Sequence, residues 1–158
     1  MYKVGFSKDT HNLIPGEGIK IGGIFIDCNV KVESYSDGDV LFHALSESIH
    51  GALGLEDLGF YYNESNMTKG FDSVIILNSA MNFLKNENYF ISNVDILIEL
   101  DSPNLKSIKT LIKNNLHKIL CIDERNISIK ATTSEGNNTS IIKCYSTILI
   151  YKKGKENE

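Results

Sequence analysis

Apolar residues at Leu41, Ala44, Leu45, Ile49 and Leu53 recur at the three-to-four spacing of a helix face and predict a helix over residues 39–53. Asp37 or Gly38 stands where a cap would start it, and Gly54 where a left-handed residue would end it. Val74, Ile75, Leu77, Ala80 and Phe83 outline a second amphipathic helix over residues 72–84. Leu105, Ile108, Leu111, Ile112, Leu116 and Leu120 outline a third over residues 103–120. Alternation at Val94, Ile96, Ile98 and Leu100 predicts a strand over residues 91–100, and shorter strands are expected at 2–6, 127–131 and 144–151. Ile19-Lys20-Ile21 and Ile24-Phe25-Ile26, separated by Gly22-Gly23, read as a strand pair or a bulged strand. Residues 60–69 have no periodicity and are expected to be a polar loop. Strands and helices interleaved in this order imply an α/β (α+β) sandwich, a mixed sheet with helices packed on one face. One domain over residues 1–151 and a polar tail at 152–158 complete the expectation.

Composition narrows what such a domain does. No apolar stretch approaches the ~20 residues that span a bilayer, and the N-terminus has neither a signal core nor a transit pattern, so no membrane partner and a cytoplasmic location are expected. Cys28, Cys121 and Cys144 form no CxxC motif, as buried reduced thiols would not. A net charge of −4 argues against nucleic acid. Arg125 is the sole arginine, so a polyanionic ligand would have to be met by metal ions, backbone N–H groups and a few lysines.

Candidate chemistry lies in Asp9-Thr10-His11 and in the run Ser36-Asp37-Gly38-Asp39-Val40-Leu41-Phe42-His43. Asp9 and His11, two apart, point to one side of an extended segment, as ligands on a strand end would. His43 follows an acidic helix start by one turn. A His₂Asp set suits zinc and leaves a position free for a substrate oxygen. His43 and His50 are seven apart on one helix, ~10 Å along its axis, too far to share an ion of ~2 Å bonds. His50 is therefore read as a surface or packing residue and His117 as exposed. By spacing alone, a capped turn plus a core histidine is the better reading of Asp9, His11 and His43, since Asp-x-His is a common pattern.

The surrounding motifs change that balance. Asp9-Thr10-His11, the Ser36–His43 run, Gly51-Ala52-Leu53-Gly54-Leu55-Glu56-Asp57-Leu58-Gly59, Lys69-Gly70-Phe71-Asp72-Ser73, Asn93-Val94-Asp95, Ser102-Pro103-Asn104-Leu105 and Ile129-Lys130-Ala131-Thr132-Thr133-Ser134-Glu135 occur in one order along the chain. Together they resemble the 2-C-methyl-D-erythritol 2,4-cyclodiphosphate synthase family of the non-mevalonate isoprenoid pathway. The resemblance implies zinc (or another divalent metal) on Asp9, His11 and His43, and magnesium or manganese with the substrate diphosphate near Glu135. It implies a diphosphocytidyl substrate contacted by Tyr35, Ser36, Asp57, Leu58, Gly59, Glu64 and Lys69 on the zinc side, Asp57 and Gly59 holding its ribose. Leu100, Asp101, Ser102, Pro103, Asn104, Leu105, Thr132, Thr133 and Ser134 would contact it on the other side, with Thr133 and Glu135 among the catalytic residues. It also implies a homotrimer with active sites between subunits.

Three departures stand out. Tyr35 replaces a histidine at a phosphate contact, Tyr62-Asn63-Glu64-Ser65-Asn66 replaces a Phe-Pro-Asp-Thr-Asp loop, and the stretch after Glu135 lacks an arginine that Lys143 would have to replace. They motivate the first of two other readings. The first is a paralogue that binds zinc and nucleotide without turnover; the other is a zinc phosphohydrolase that uses an activated water.

Overall fold

In the computed structural model, residues 1–153 are described, so most of the expected tail lies outside the described residues. The strands β1 (Tyr2–Pro15), β4 (Val30–Glu33), β5 (Phe90–Glu99), β6 (Ile127–Thr132) and β7 (Ile141–Tyr151) form one sheet in the order β4-β1-β7-β5-β6. Every neighbouring pair is antiparallel except β5 and β6, which makes the sheet mixed as expected. The strands β2 (Ile19–Ile21) and β3 (Ile24–Ile26) are a separate hairpin turning at Gly22-Gly23, both with positive φ. The helices α1 (Val40–Leu53), α2 (Leu58–Tyr61), α3 (Val74–Asn86) and α4 (Lys109–Leu120) complete the chain.

The helix α1 is the centre of the molecule. It lies across β1 and β7 and is covered on its other side by α3 and the hairpin. It is therefore buried almost all round, Ser46, Ser48 and His50 included. Its buried hydroxyls find partners: Ser46 donates to the Phe42 carbonyl at 2.6 Å, and Ser48 meets Ser146 of β7 at 3.0 Å. His50 Nδ1 lies 3.0 Å from the Glu56 carbonyl, which makes it a packing histidine, and His117 is exposed. The approach of α1 to β1 is so close that a Cβ on Gly5 would stand 1.8 Å from the Ser48 carbonyl oxygen.

Several element bounds differ from expectation for physical reasons. The first strand runs on to Pro15 because β7 pairs with it from Tyr2 to Asn12 and β4 from Asn12 to Pro15, so Asp9 and His11 sit within a strand and not at its end. Asp39, rather than Asp37 or Gly38, caps α1 by accepting the Phe42 N–H at 3.0 Å; Gly54 ends it with φ 74°. Residues 60–69 are not all loop, since Asp57 caps the short helix α2. The third long helix starts at Lys109, because the Asn104 side chain draws the Lys106 N–H into a turn. Ile75 and Leu111, expected to face inward, are about half exposed; Ile76 and Ile112 take the buried positions. Cys144 is buried, Cys28 half-buried and Cys121 exposed, and all three are free thiols.

Candidate metal centre and substrate clefts

Strand alternation turns Asp9 and His11 toward the helical layer, where the first turn of α1 delivers His43. β4 pairs only with Asn12–Pro15, so this stretch of β1 has a free edge. Asp9 Oδ2 lies 2.9 Å from His11 Nε2 and 3.3 Å from His43 Nδ1. All three residues can offer donor atoms within 4.8 Å of one another. Asp9 Oδ2 and His11 Nε2 are buried, and although close, they are not aligned for a hydrogen bond with any group among the described residues. Two buried donor atoms left unpartnered beside a third are what a divalent cation would satisfy, and the nitrogen-carboxylate set suits zinc. Burial alone would raise the Asp9 carboxyl, but the two imidazoles outweigh it and hold it well below the usual carboxylate range. Asp9 is thus an anion ready to ligate.

A cleft of about 290 Å³ opens beside His43, lined by Tyr35, Ser36, Leu58, Gly59 and Glu64 among others. Ser36 Oγ is 3.1 Å from His43 Nε2. Asp57 serves as the α2 cap, exposed at the surface, and Lys69 is exposed outside this lining. The main chain of α2 is fixed at its first residue, where Glu47 of α1 accepts the Leu58 N–H at 3.0 Å.

A second cleft, about 190 Å³, is lined by Leu100, Asp101, Asn104, Leu105, Thr132 and Thr133, with Lys106 and Lys109 at its edge. Asp101 shapes it by accepting the Ser134 N–H (2.5 Å), the Ser134 hydroxyl (2.9 Å) and the Gly136 N–H (3.0 Å). Ser102 and Pro103, in the bend between Asp101 and Asn104, are not among its lining residues. Glu135 is exposed, with a φ of 55°, and its Oε1 is 3.4 Å from the Thr133 hydroxyl. The two clefts do not meet within one chain. Asp9 stands opposite Cys144, Cys144 opposite Ile98, and Ile98 beside Ala131. Three strand spacings of ~4.8 Å separate the clusters by ~14 Å.

The model of the YgbB family matches residues 2–151. The chain belongs to the YgbB family. The 2-C-methyl-D-erythritol 2,4-cyclodiphosphate synthase of Fusobacterium nucleatum is 38% identical, over 97% of this chain and 99% of that protein. The synthase of Parabacteroides distasonis is 34% identical over 96% and 98%. A solved structure described as the CDP complex of IspF from Plasmodium falciparum is 33% identical, with a TM-score of 0.85 over 97% of both chains. The synthase family foreseen in the motifs is therefore the one to which this YgbB chain is similar along its whole length.

Two of its departures have local explanations. The Tyr35 hydroxyl donates to the Met67 carbonyl at 3.0 Å, bracing the altered loop. Lys143 Nζ lies 2.7 Å from Glu99 Oε1, so its charge is matched within the sheet. Sequence reasoning missed Lys20 and Ser73, which the fold gathers behind His43. Their only signal was the Asp72-Ser73 pair at a helix start.

Proposed function

We propose that this protein converts 4-diphosphocytidyl-2-C-methyl-D-erythritol 2-phosphate to 2-C-methyl-D-erythritol 2,4-cyclodiphosphate and CMP. An oxygen of the 2-phosphate bonds to the β-phosphorus, and the bond from that phosphorus to the bridging oxygen breaks, its electron pair leaving with CMP. The observation that carries this reading is the convergence of Asp9, His11 and His43 beside a cleft, in a chain akin to such synthases from end to end. Among the described residues, no helix is long and apolar enough to cross a membrane.

The nucleophile is already anionic, so no general base is required, and the barrier is that of bringing two phosphates together within a flexible molecule. Asp9, His11 and His43 would hold zinc, and Glu135, with the substrate diphosphate, magnesium or manganese. When bound, these ions supply the positive charge that transfer between two anionic phosphates demands, which an almost arginine-free chain lacks. The chain's own groups do the positioning. Tyr35, Ser36, Leu58 and Glu64 would enclose the methylerythritol end and Asp57 and Gly59 the ribose, while Leu100–Leu105 and Thr132–Ser134 would frame the cytosine and the nucleotide phosphates. Holding both ends so that the phosphates meet is worth several kcal/mol of the barrier.

One substrate molecule must touch both clefts. A neighbouring copy supplying the second cleft satisfies this, and a homotrimer with sites between subunits is the arrangement proposed. Purified protein given the diphosphocytidyl substrate, zinc and magnesium should yield CMP and the cyclic diphosphate by ³¹P NMR. His43→Ala should lose bound zinc and lower turnover roughly a hundredfold or more. An active, metal-free His43→Ala protein overturns the assignment. Binding without release of CMP would favour the non-catalytic module, for which Tyr35 being occupied by Met67 is the one supporting contact. A linear product would favour the hydrolase.

A further inference from the structure

The two nitrogens of His43 face different surroundings. Nδ1 is 3.3 Å from Asp9 Oδ2, on the side of the metal-ligand set. Nε2 is 2.9 Å from the hydroxyl of Ser73, a fully buried residue, and 3.1 Å from that of Ser36. Ser73 in turn donates to Asp37 Oδ1. Lys20 Nζ, from the hairpin strand β2, donates to Asp37 Oδ2 at 2.9 Å and reaches Asp72 Oδ1 at 3.1 Å.

The direction of these bonds is determined by donor count. A serine hydroxyl has one hydrogen, and an ionised carboxylate only accepts. With its hydrogen given to Asp37, Ser73 can meet His43 only as an acceptor. Nε2 of His43 must then carry a hydrogen, so that Nδ1, on the Asp9 side, is the nitrogen that would offer its lone pair to a metal ion. The opposite tautomer would press two lone pairs together at 2.9 Å in a buried place. The Ser36 oxygen already takes the Gly38 N–H at 3.1 Å and offers the same Nε2–H a second acceptor.

Ser73 has also given up the task its position would suggest. It stands just before α3, where a serine ordinarily caps the helix through its side chain. Here it makes no such bond, its backbone is already helical (φ −64°, ψ −13°), and Asp72 accepts the Val74 N–H instead at 3.0 Å. The hydroxyl is left for His43. Two backbone bonds, Asp37 N–H to the Phe71 carbonyl (2.9 Å) and Gly70 N–H to the Tyr35 carbonyl (2.7 Å), clamp together the two segments that carry this chain.

We propose that Lys20, Asp37 and Ser73 form a positioning relay that fixes the tautomer and ring plane of His43 and so sets the metal affinity of the Asp9–His11–His43 centre. The inference rests on the reading of those three residues as metal ligands. Outer partners of a ligating histidine typically govern affinity by 10- to 100-fold.

The test is made on the full chain, with zinc affinity measured by chelator competition and the His43 ring followed by ¹⁵N NMR in the metal-stripped protein. Ser73→Ala should weaken zinc binding about 10- to 100-fold and Asp37→Asn about tenfold. The Nε2-protonated signature of the wild-type ring should give way to a mixture of tautomers in Ser73→Ala. Folded Ser73→Ala and Asp37→Asn proteins with zinc affinity within about twofold of wild type, and with the wild-type ¹⁵N pattern, overturn the relay. If Ser73→Ala does not fold, Asp37→Asn and Lys20→Met decide by the same criterion. His43→Ala separates the two levels. Should the wild type bind zinc no better than His43→Ala, the metal reading itself falls and takes the relay with it; should those two differ while the relay variants match wild type, only the relay falls.

Discussion

At the scale of single residues, the buried carboxylate of Asp39 does the most. Its Oδ1 accepts the Gly22 N–H at 2.9 Å and the Phe42 N–H at 3.0 Å, and its Oδ2 the Gly23 N–H at 2.7 Å. One side chain thereby joins the hairpin turn to the start of α1 and sets where His43 stands. Asp39→Ala should cost about 3 kcal/mol or more in urea unfolding, since a cap and two further buried donors lose their partner. Burial pushes the Asp39 carboxyl up to about 6, although the three N–H groups pull the other way. A folded value above the unfolded 3.8 means that the native chain holds this proton more tightly. Its contribution is then greatest below about pH 4 and is lost as pH rises through about 6. The stability gap between wild type and Asp39→Ala should therefore be wider at pH 4 than at pH 7, by on the order of 2 kcal/mol. An unchanged gap would show that the three donors cancel the burial. Tyr35→Phe tests the loop brace: KM should rise several-fold, with stability changed by no more than about 1 kcal/mol.

Among the elements, α1 departs furthest from a surface helix. A pattern of apolar residues on one face implies that the other faces water, yet α1 is enclosed by sheet, hairpin and α3, and its serines bond inward. Local periodicity registers the apolar face but not what covers the polar one. The same blindness explains Ile75 and Leu111, apolar residues beside the buried stripe that the neighbouring helices leave in solvent. The crossing of α1 over β1 depends on Gly5 having no side chain. Gly5→Ala must push the Ser48 carbonyl and the helix outward, costing about 3 kcal/mol or more, and should weaken zinc binding by displacing His43 from Asp9. Thermal unfolding and zinc titration of this variant check both parts.

At the scale of the whole molecule, the sheet face away from the helices is the feature to explain. Tyr2, Val4 and Phe6 on β1 are each about two-thirds exposed or more, and Phe90 lies 5.8 Å, ring to ring, from Tyr151 on the same sheet. A contiguous apolar face of this kind marks an interaction surface, and it is the surface the proposed trimer would bury. The double substitution Val4→Glu and Phe6→Glu should give monomers by light scattering. Because Asp9, His11 and His43 all belong to one chain, those monomers should still bind zinc, while turnover falls roughly a hundredfold for want of the second cleft. Full activity in a proven monomer would dismiss the shared-site arrangement.

The chain's own order of residues determined the sandwich class and most element positions, and it pointed to the candidate metal-ligand set, because strand alternation and helical spacing are local and Asp9, His11 and His43 fall within recognisable runs. Tertiary structure decided the rest. The length of β1 came from its partners β7 and β4, the choice of Asp39 as the α1 cap from a hairpin turn 16 residues or more away, and the support behind His43 from Lys20 and Ser73, which are 53 residues apart. Contacts such as these depend on which surfaces pack together, and no periodicity along the chain records that.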